Sequence, residues 1–219
     1  MIITSKKPII EMLDGLKGRE KVFLAGCALC ATTCRTGGQK QVDETAVILE
    51  KEGKKITGSV VLEPACSVLE VKRLYRKMNK EIEDSDIVLS LACGGGTQAI
   101  AEVIKTKEIY PANNTLFQGE ISELSLKRAK FDQKCSLCGD CVLGLTNGIC
   151  PVTCCPKELV NGPCGGVKNG KCETDKNLDC AWLLIYERLK EFGRLKDLKT
   201  IKAPKDHSKN RKPRDLVIK

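Results

Sequence analysis

Nine of the chain's 14 cysteines fall between Cys135 and Cys180, and this crowding constrains the fold more than any other feature of its 219 residues. The stretch around them, about 127–179, has few apolar residues, many Gly and Pro turns, and no amphipathic period until its end. Its own hydrophobic core would be too small, so the segment needs staples: disulfides in an oxidising compartment, or metal whose binding free energy replaces the missing burial. No N-terminal stretch has the charged, apolar and small-residue order of a signal peptide, and no apolar run approaches the roughly 20 residues of a membrane span. The sequence therefore reads as cytoplasmic, where metal or cluster ligation accounts for the thiols better than a disulfide framework. The single histidine, His207, leaves no set of imidazoles, so any metal is expected on thiolates.

The residues before this stretch follow a different plan. Lys21–Ala25 (KVFLA), Ile56–Leu62 (ITGSVVL) and Asp86–Leu91 (DIVLSL) are apolar, β-branched runs of strand length, with a short further strand at Glu108–Tyr110. Between them Val42, Ala46 and Leu49 recur at helical spacing before Gly53, as do Val71, Leu74, Tyr75, Met78 and Ile82, and another helix is expected from Thr97 to Lys105. Alternation at this length favours right-handed βαβ crossovers, hence a small Rossmann/flavodoxin-like parallel sheet with helices. Three parts follow: an α/β domain over 1–126, a cysteine-rich double-cluster region plus a helix over 127–193, and a basic extended tail over 194–219. The helix is placed from Asp179, with Trp182, Ile185, Leu189 and Phe192 on one stripe and Gly193 ending it.

Three of the first five cysteines follow strands: Cys27 after the first, Cys66 after the second, Cys93 after the third. In a parallel sheet these positions share the carboxyl edge, where open α/β folds bind ligands. With Cys30 and Cys34 from the same loop as Cys27, the edge offers five candidates for the four ligands of a 4Fe-4S cluster, or of a zinc ion. The run Ala92-Cys93-Gly94-Gly95-Gly96-Thr97 has neither the dinucleotide-binding spacing nor the ending of a phosphate loop, and its glycines are read as letting backbone amides approach a ligand sulfur.

In the second region Cys135-Ser-Leu-Cys138-Gly-Asp-Cys141 has the spacing of bacterial ferredoxin loops, where a short turn presents three thiolates to three irons of one cubane. Cys150, Cys155, Cys164, Cys172 and Cys180 bring the number to eight, enough for two 4Fe-4S clusters. Paired zinc ribbons also use eight, and the triplet favours iron. Cys154, adjacent to Cys155, is read as a spare thiol. Glu63, Glu102 and Asp140 show no pairing that spacing reveals.

The formal charge of +9 raises nucleic acid as a partner, but Phe, Tyr and Trp total only eight, too few for a base-stacking platform. From Glu187 onward 12 Lys or Arg stand against 5 Asp or Glu, so most of the excess is tail. Three oxidised clusters at about −2 each would cancel much of the rest, leaving the tail as a docking segment for an acidic partner. Two competing readings are a zinc-stapled binding module and a thiolate-zinc methyl-handling domain.

The blocks CSLCGDCVL (135–143), GICPVT (148–153), CPKELVNGPCGG (155–166), NGKCE (169–173) and DCAWLLIYERL (179–189) closely resemble the methylenetetrahydrofolate reductase C-terminal-like family, which includes the MetV-type iron–sulfur small subunits of two-subunit reductases in anaerobes. CALCATTC (27–34), ACGGGTQ (92–98) and YPANNTLF (110–117) agree with it. Cys154 departs from the family pattern, where relatives usually carry Arg. The resemblance implies a non-catalytic electron-transfer subunit of an oxidoreductase. It would have two 4Fe-4S clusters in the C-terminal region and a third cluster or a zinc ion in the N-terminal domain. It would pass single electrons from ferredoxin, or another donor protein, to a flavin-containing TIM-barrel reductase subunit that makes methyl- from methylene-tetrahydrofolate.

Overall fold

The computed structural model describes residues 1–218. In chain order the elements are β1 (Ile2–Lys6), α1 (Ile9–Gly15), β2 (Lys21–Cys27), α2 (Cys30–Thr33), α3 (Gln39–Lys51), β3 (Lys55–Leu62), α4 (Val68–Lys77), α5 (Asn79–Asp84) and β4 (Ile87–Ser90). They continue with α6 (Gly94–Val103), β5 (Glu108–Pro111), β6 (Asn113–Leu124), β7 (Ala129–Gln133), α7 (Pro151–Cys154) and α8 (Ala181–Glu191), and close with two 3₁₀ turns, Leu195–Lys199 and His207–Asn210. The chain divides into two compact units, Met1–Phe131 and a second that begins at Asp132.

The first unit is built on a four-stranded parallel sheet of order β3-β2-β4-β5. Its inner strand β2 is buried from Val22 to Cys27 because both faces are covered, as parallel sheets require. The two-residue alternation of a strand then sorts the side chains. Phe23 and Ala25 join Val71, Leu74, Ile82 and Ile100 in one core, whereas Val22 and Leu24 join Leu16, Val42, Leu49, Ile87 and Leu89 in another. Helices α1 and α3 thus cover one face and α4, α5 and α6 the other, which is the expected doubly wound α/β arrangement.

The helical run expected across Val71–Ile82 is two helices. Ser67 caps the first by accepting from the Glu70 amide at 3.3 Å, and the chain leaves helical geometry at Met78. Val71, Leu74 and Ile82 still reach the same core, so the apolar spacing survives the break. The sequence also gave no sign of a second sheet, the three-stranded β1-β6-β7. Here β1 runs antiparallel to β6 with Ile2 opposite Gln118. Strand β6 is exposed along most of its length, so it lacks the one-sided apolar pattern by which strands are recognised.

In the second unit the main buried cluster is Trp182, Ile185 and Leu189, from one face of α8, with Ile149, Leu159 and Leu195 against it. Gly193 adopts φ +65° just past α8, and the Arg194 amide donates to the Leu189 carbonyl at 2.7 Å, closing the helix. Phe192, placed on the buried stripe by spacing, is 63% exposed because it lies at the helix end where the face has turned outward. Among the described residues no helix is long and apolar enough to cross a membrane.

Candidate functional site

The parallel sheet sets the position of the first group of thiols. Strands β2, β3 and β4 run the same way, so Cys27 at the end of β2, Cys66 four residues past β3 and Cys93 three residues past β4 stand at one carboxyl edge. The strand order reverses between β2 and β4, and such switch points are where open α/β sheets leave a crevice. Cys27 is buried; its amide donates to the Gly37 carbonyl at 2.8 Å, and its carbonyl accepts the Thr32 hydroxyl at 2.8 Å. These bonds fold the loop back on itself, so that Cys30 opens α2 and Cys34 closes it.

Burial pushes the Cys66 thiol above its usual range, and the nearby Cys93, Cys27 and Cys30 push it further, so these four cysteines share one neighbourhood. The Cys34 sulfur is engaged elsewhere and donates to the Ile2 carbonyl on β1 at 3.7 Å. The glycines beside Cys93 have packing roles. A Cβ on Gly96 would stand 2.8 Å from Ala92 Cβ and 3.0 Å from Ala65 Cβ, and the Gly94 amide is taken by Thr115 Oγ1 at 2.7 Å. One on Gly95 would only touch the Cys93 sulfur, at 4.0 Å.

In the second unit Cys155, Cys164, Cys172 and Cys180 line a single pocket, walled by Pro163, Val167 and Trp182. Local structure brings them there. Cys155 follows α7, and Cys180 is the N-cap of α8. Between them the Cys172 amide donates to Leu178 O and the Cys180 amide to Gly170 O, both at 2.9 Å, pinning a tight loop. The Trp182 indole donates to the Leu159 carbonyl at 2.9 Å and fixes the wall, and Lys157 pairs with Glu173 at the rim. A hydrogen bond with the Thr174 hydroxyl, 3.1 Å from the sulfur, holds the Cys172 thiol below its usual range. The same three wall residues also bound an apolar recess lined by Val142, Val160 and Tyr186.

The other four candidates lie along the chain before this pocket. Cys135 and Cys141 are exposed and Cys138 and Cys150 half-buried; the Cys135 sulfur accepts from the Leu137 amide at 3.4 Å, and Cys150 is the N-cap of α7. Cys154 is the last residue of α7. Among the described residues, no three His, Cys, Asp or Glu side chains form a group placed to hold a metal ion. The thiols therefore share pockets and loops without converging on one point. As a donor set, four thiols around one pocket fit a soft, thiophilic group.

Spacing missed the partners of Asp140, which sits between Cys138 and Cys141. Its carboxylate pairs with Lys202 at 3.3 Å and with Lys209 at 3.5 Å, the latter 69 residues on in sequence. No periodicity reports a pairing over that distance.

Fold and site together define an α/β domain with thiols at its sheet edge, followed by a second unit organised around cysteines. Residues 110–208, just under half of the chain, match the family model described as Methylene-tetrahydrofolate reductase C terminal. The match supports the family that the cysteine blocks resemble, and it fits a reductase-associated protein. No curated protein and no solved structure matches the chain.

Proposed function

We propose that this chain is an electron-transfer subunit that serves the flavin of a separate methylenetetrahydrofolate reductase. The observation that carries the reading is the pocket shared by Cys155, Cys164, Cys172 and Cys180. These four thiols would hold one 4Fe-4S cluster, and Cys135, Cys138, Cys141 and Cys150 the second. At the sheet edge Cys27, Cys30, Cys66 and Cys93 would hold a third cluster or a zinc ion, with Cys34 left on the Ile2 carbonyl. When bound, such clusters exchange one electron at a time with little rearrangement of their ligands, which links a single-electron donor such as ferredoxin to a flavin that needs two.

The chain's own residues supply position and environment. Trp182, Pro163 and Val167 give the pocket an apolar wall. The Thr174 hydroxyl favours the thiolate form of Cys172, which is the form that ligates. Iron and acid-labile sulfide on anaerobically reconstituted protein should reach about twelve of each per chain for three clusters, or about eight if the sheet-edge site takes zinc or stays empty. Stoichiometric zinc with negligible sulfide would refute the reading. Electron delivery is tested by mixing the reduced protein with a flavin-containing methylenetetrahydrofolate reductase and following flavin bleaching.

A further inference from the structure

The basic C-terminal segment folds back onto the Cys135–Cys141 loop and makes contact along its length. Lys202 and Lys209 both reach Asp140, whose side chain is 15% exposed. Arg214 donates to the Leu137 carbonyl at 2.7 Å and to the Lys209 carbonyl at 2.6 Å. Asn161 anchors the start of the segment by a reciprocal pair with the Lys202 backbone, each bond 2.8 Å. Gly139 has φ +75°, and a Cβ there would lie 2.7 Å from the Lys209 carbonyl oxygen, so the segment and the loop meet backbone to backbone.

Between these anchors lies the ammonium of Lys205, in a recess that Asp140 and Val142 also line. Lys205 Nζ is buried and, among the described residues, has no nitrogen or oxygen as a hydrogen-bond partner. Burying an ammonium without a paired charge is costly, and Asp140, in the same recess, is already shared by two other lysines. Three ammonium groups and one guanidinium thus lie along the loop and the segment against two carboxylates, Asp140 and Asp206. Geometry places Lys205 at this loop: it shares a small recess with Asp140, between Cys138 and Cys141, and with Val142 just after it. Positive charge in excess over a thiol loop is what a strongly anionic ligand there would require, and a 4Fe-4S core with four thiolates carries about −2.

Resting on the cluster reading above, we propose that residues 202–214 are a strap that closes over the Cys135–Cys141 loop and sets Lys205 as a positioning residue, a fixed positive charge beside an anionic thiolate-bound cluster. The tail's lysines are then partly engaged within the chain and are not all free to meet a partner. A fixed positive charge favours the more negative, reduced state of such a group, so its removal makes reduction harder.

The test uses the full chain with Lys205→Met and Lys205→Arg, reconstituted anaerobically with iron and sulfide, and a variant ending at Ala203. Lys205→Met should retain its iron while one cluster's reduction equilibrium shifts about tenfold or more toward the oxidised form, 59 mV for each tenfold in a one-electron couple; Lys205→Arg should restore the wild-type value. In metal-free protein with unchanged Trp182 emission, ending the chain at Ala203 should speed alkylation of Cys135, Cys138 and Cys141 several-fold, as mapped by mass spectrometry, and leave Cys66 unaffected. Unchanged potentials in iron-loaded Lys205→Met overturn the charge role, and unchanged alkylation of the truncated chain overturns the strap. Failure of the wild type to bind iron and sulfide overturns the cluster reading, and the charge role with it, while the alkylation result still decides the strap.

Discussion

Replacing Gly37 with alanine tests how tightly the edge of the parallel sheet is drawn. The Gly37 carbonyl accepts the Cys27 amide at 2.8 Å, which ties the loop between Cys27 and α3 to the end of β2. A Cβ at Gly37 would collide with the Leu91 carbonyl oxygen, stand 2.8 Å from the Leu91 carbonyl carbon, and lie 3.1 Å from Ala31 Cβ. Two of the three obstacles are backbone, just after β4, and cannot rotate away. Overpacking a tight core costs typically 1–3 kcal/mol, and backbone on the opposing side places this case near about 3 kcal/mol. With a urea m-value of about 2 kcal/mol/M, the unfolding midpoint should fall by about 1.5 M. Far-UV circular dichroism follows the helices and strands, most of which lie in the first unit, and emission of the single tryptophan, Trp182, reports the second. Val47→Ala, at an exposed α3 position, is the control and should stay within about 0.5 kcal/mol. A Gly37→Ala midpoint equal to that of the control would show that the approach of the two loops is not enforced.

Ile185→Ala removes a fully buried side chain from the three-residue cluster of the second unit and should cost about 2–5 kcal/mol, seen as an earlier Trp182 emission transition in urea. In metal-free protein, Cys172 should react with iodoacetamide faster than Cys66 near pH 8, because Thr174 lowers one thiol, whereas desolvation of the sulfur and the neighbouring Cys93, Cys27 and Cys30 raise the other; the reverse order would contradict these environments. Lys202 holds the Asp140 carboxyl below its ordinary 3.8, so the stability it lends is present above that value and is lost as pH falls through the lower folded value. Asp140→Asn should remove that acid-dependent component, which urea midpoints measured from pH 5 downward would register.

The parallel sheet was legible because its strands are buried on both faces: KVFLA and DIVLSL are continuous apolar runs, and the chain between them has helical spacing. The carboxyl-edge placement of Cys27, Cys66 and Cys93 followed from strand direction alone. Strand β6 was not legible, since NNTLFQGEISEL is mostly solvent-facing and carries no alternation to read. In the second unit, spacing supplied the thiols but not their grouping. Cys172 and Cys180 come to one pocket through a loop held by single backbone bonds to Leu178 and Gly170, which leave no periodic trace. The pairing of Asp140 with Lys202 and Lys209 is similar: it depends on a returning segment whose lysines look like a solvated tail until their partner is seen.

The antiparallel pairing of β1 with β6 bears on the order in which the protein is made. Because Ile2 pairs with Gln118, the first unit cannot complete its antiparallel sheet until most of its chain has left the ribosome, and as Gln118 emerges none of the nine later cysteines has yet come out. At ribosomal rates of about 5–20 residues per second, and with N-terminal domains folding first, the remaining chain takes on the order of 5–20 s to appear. During that interval Cys27, Cys30, Cys34, Cys66 and Cys93 can settle at the sheet edge without nine competing thiols nearby. The topology thus separates the two sets of cysteines in time, which lowers the chance that they pair with the wrong partners in the nascent chain.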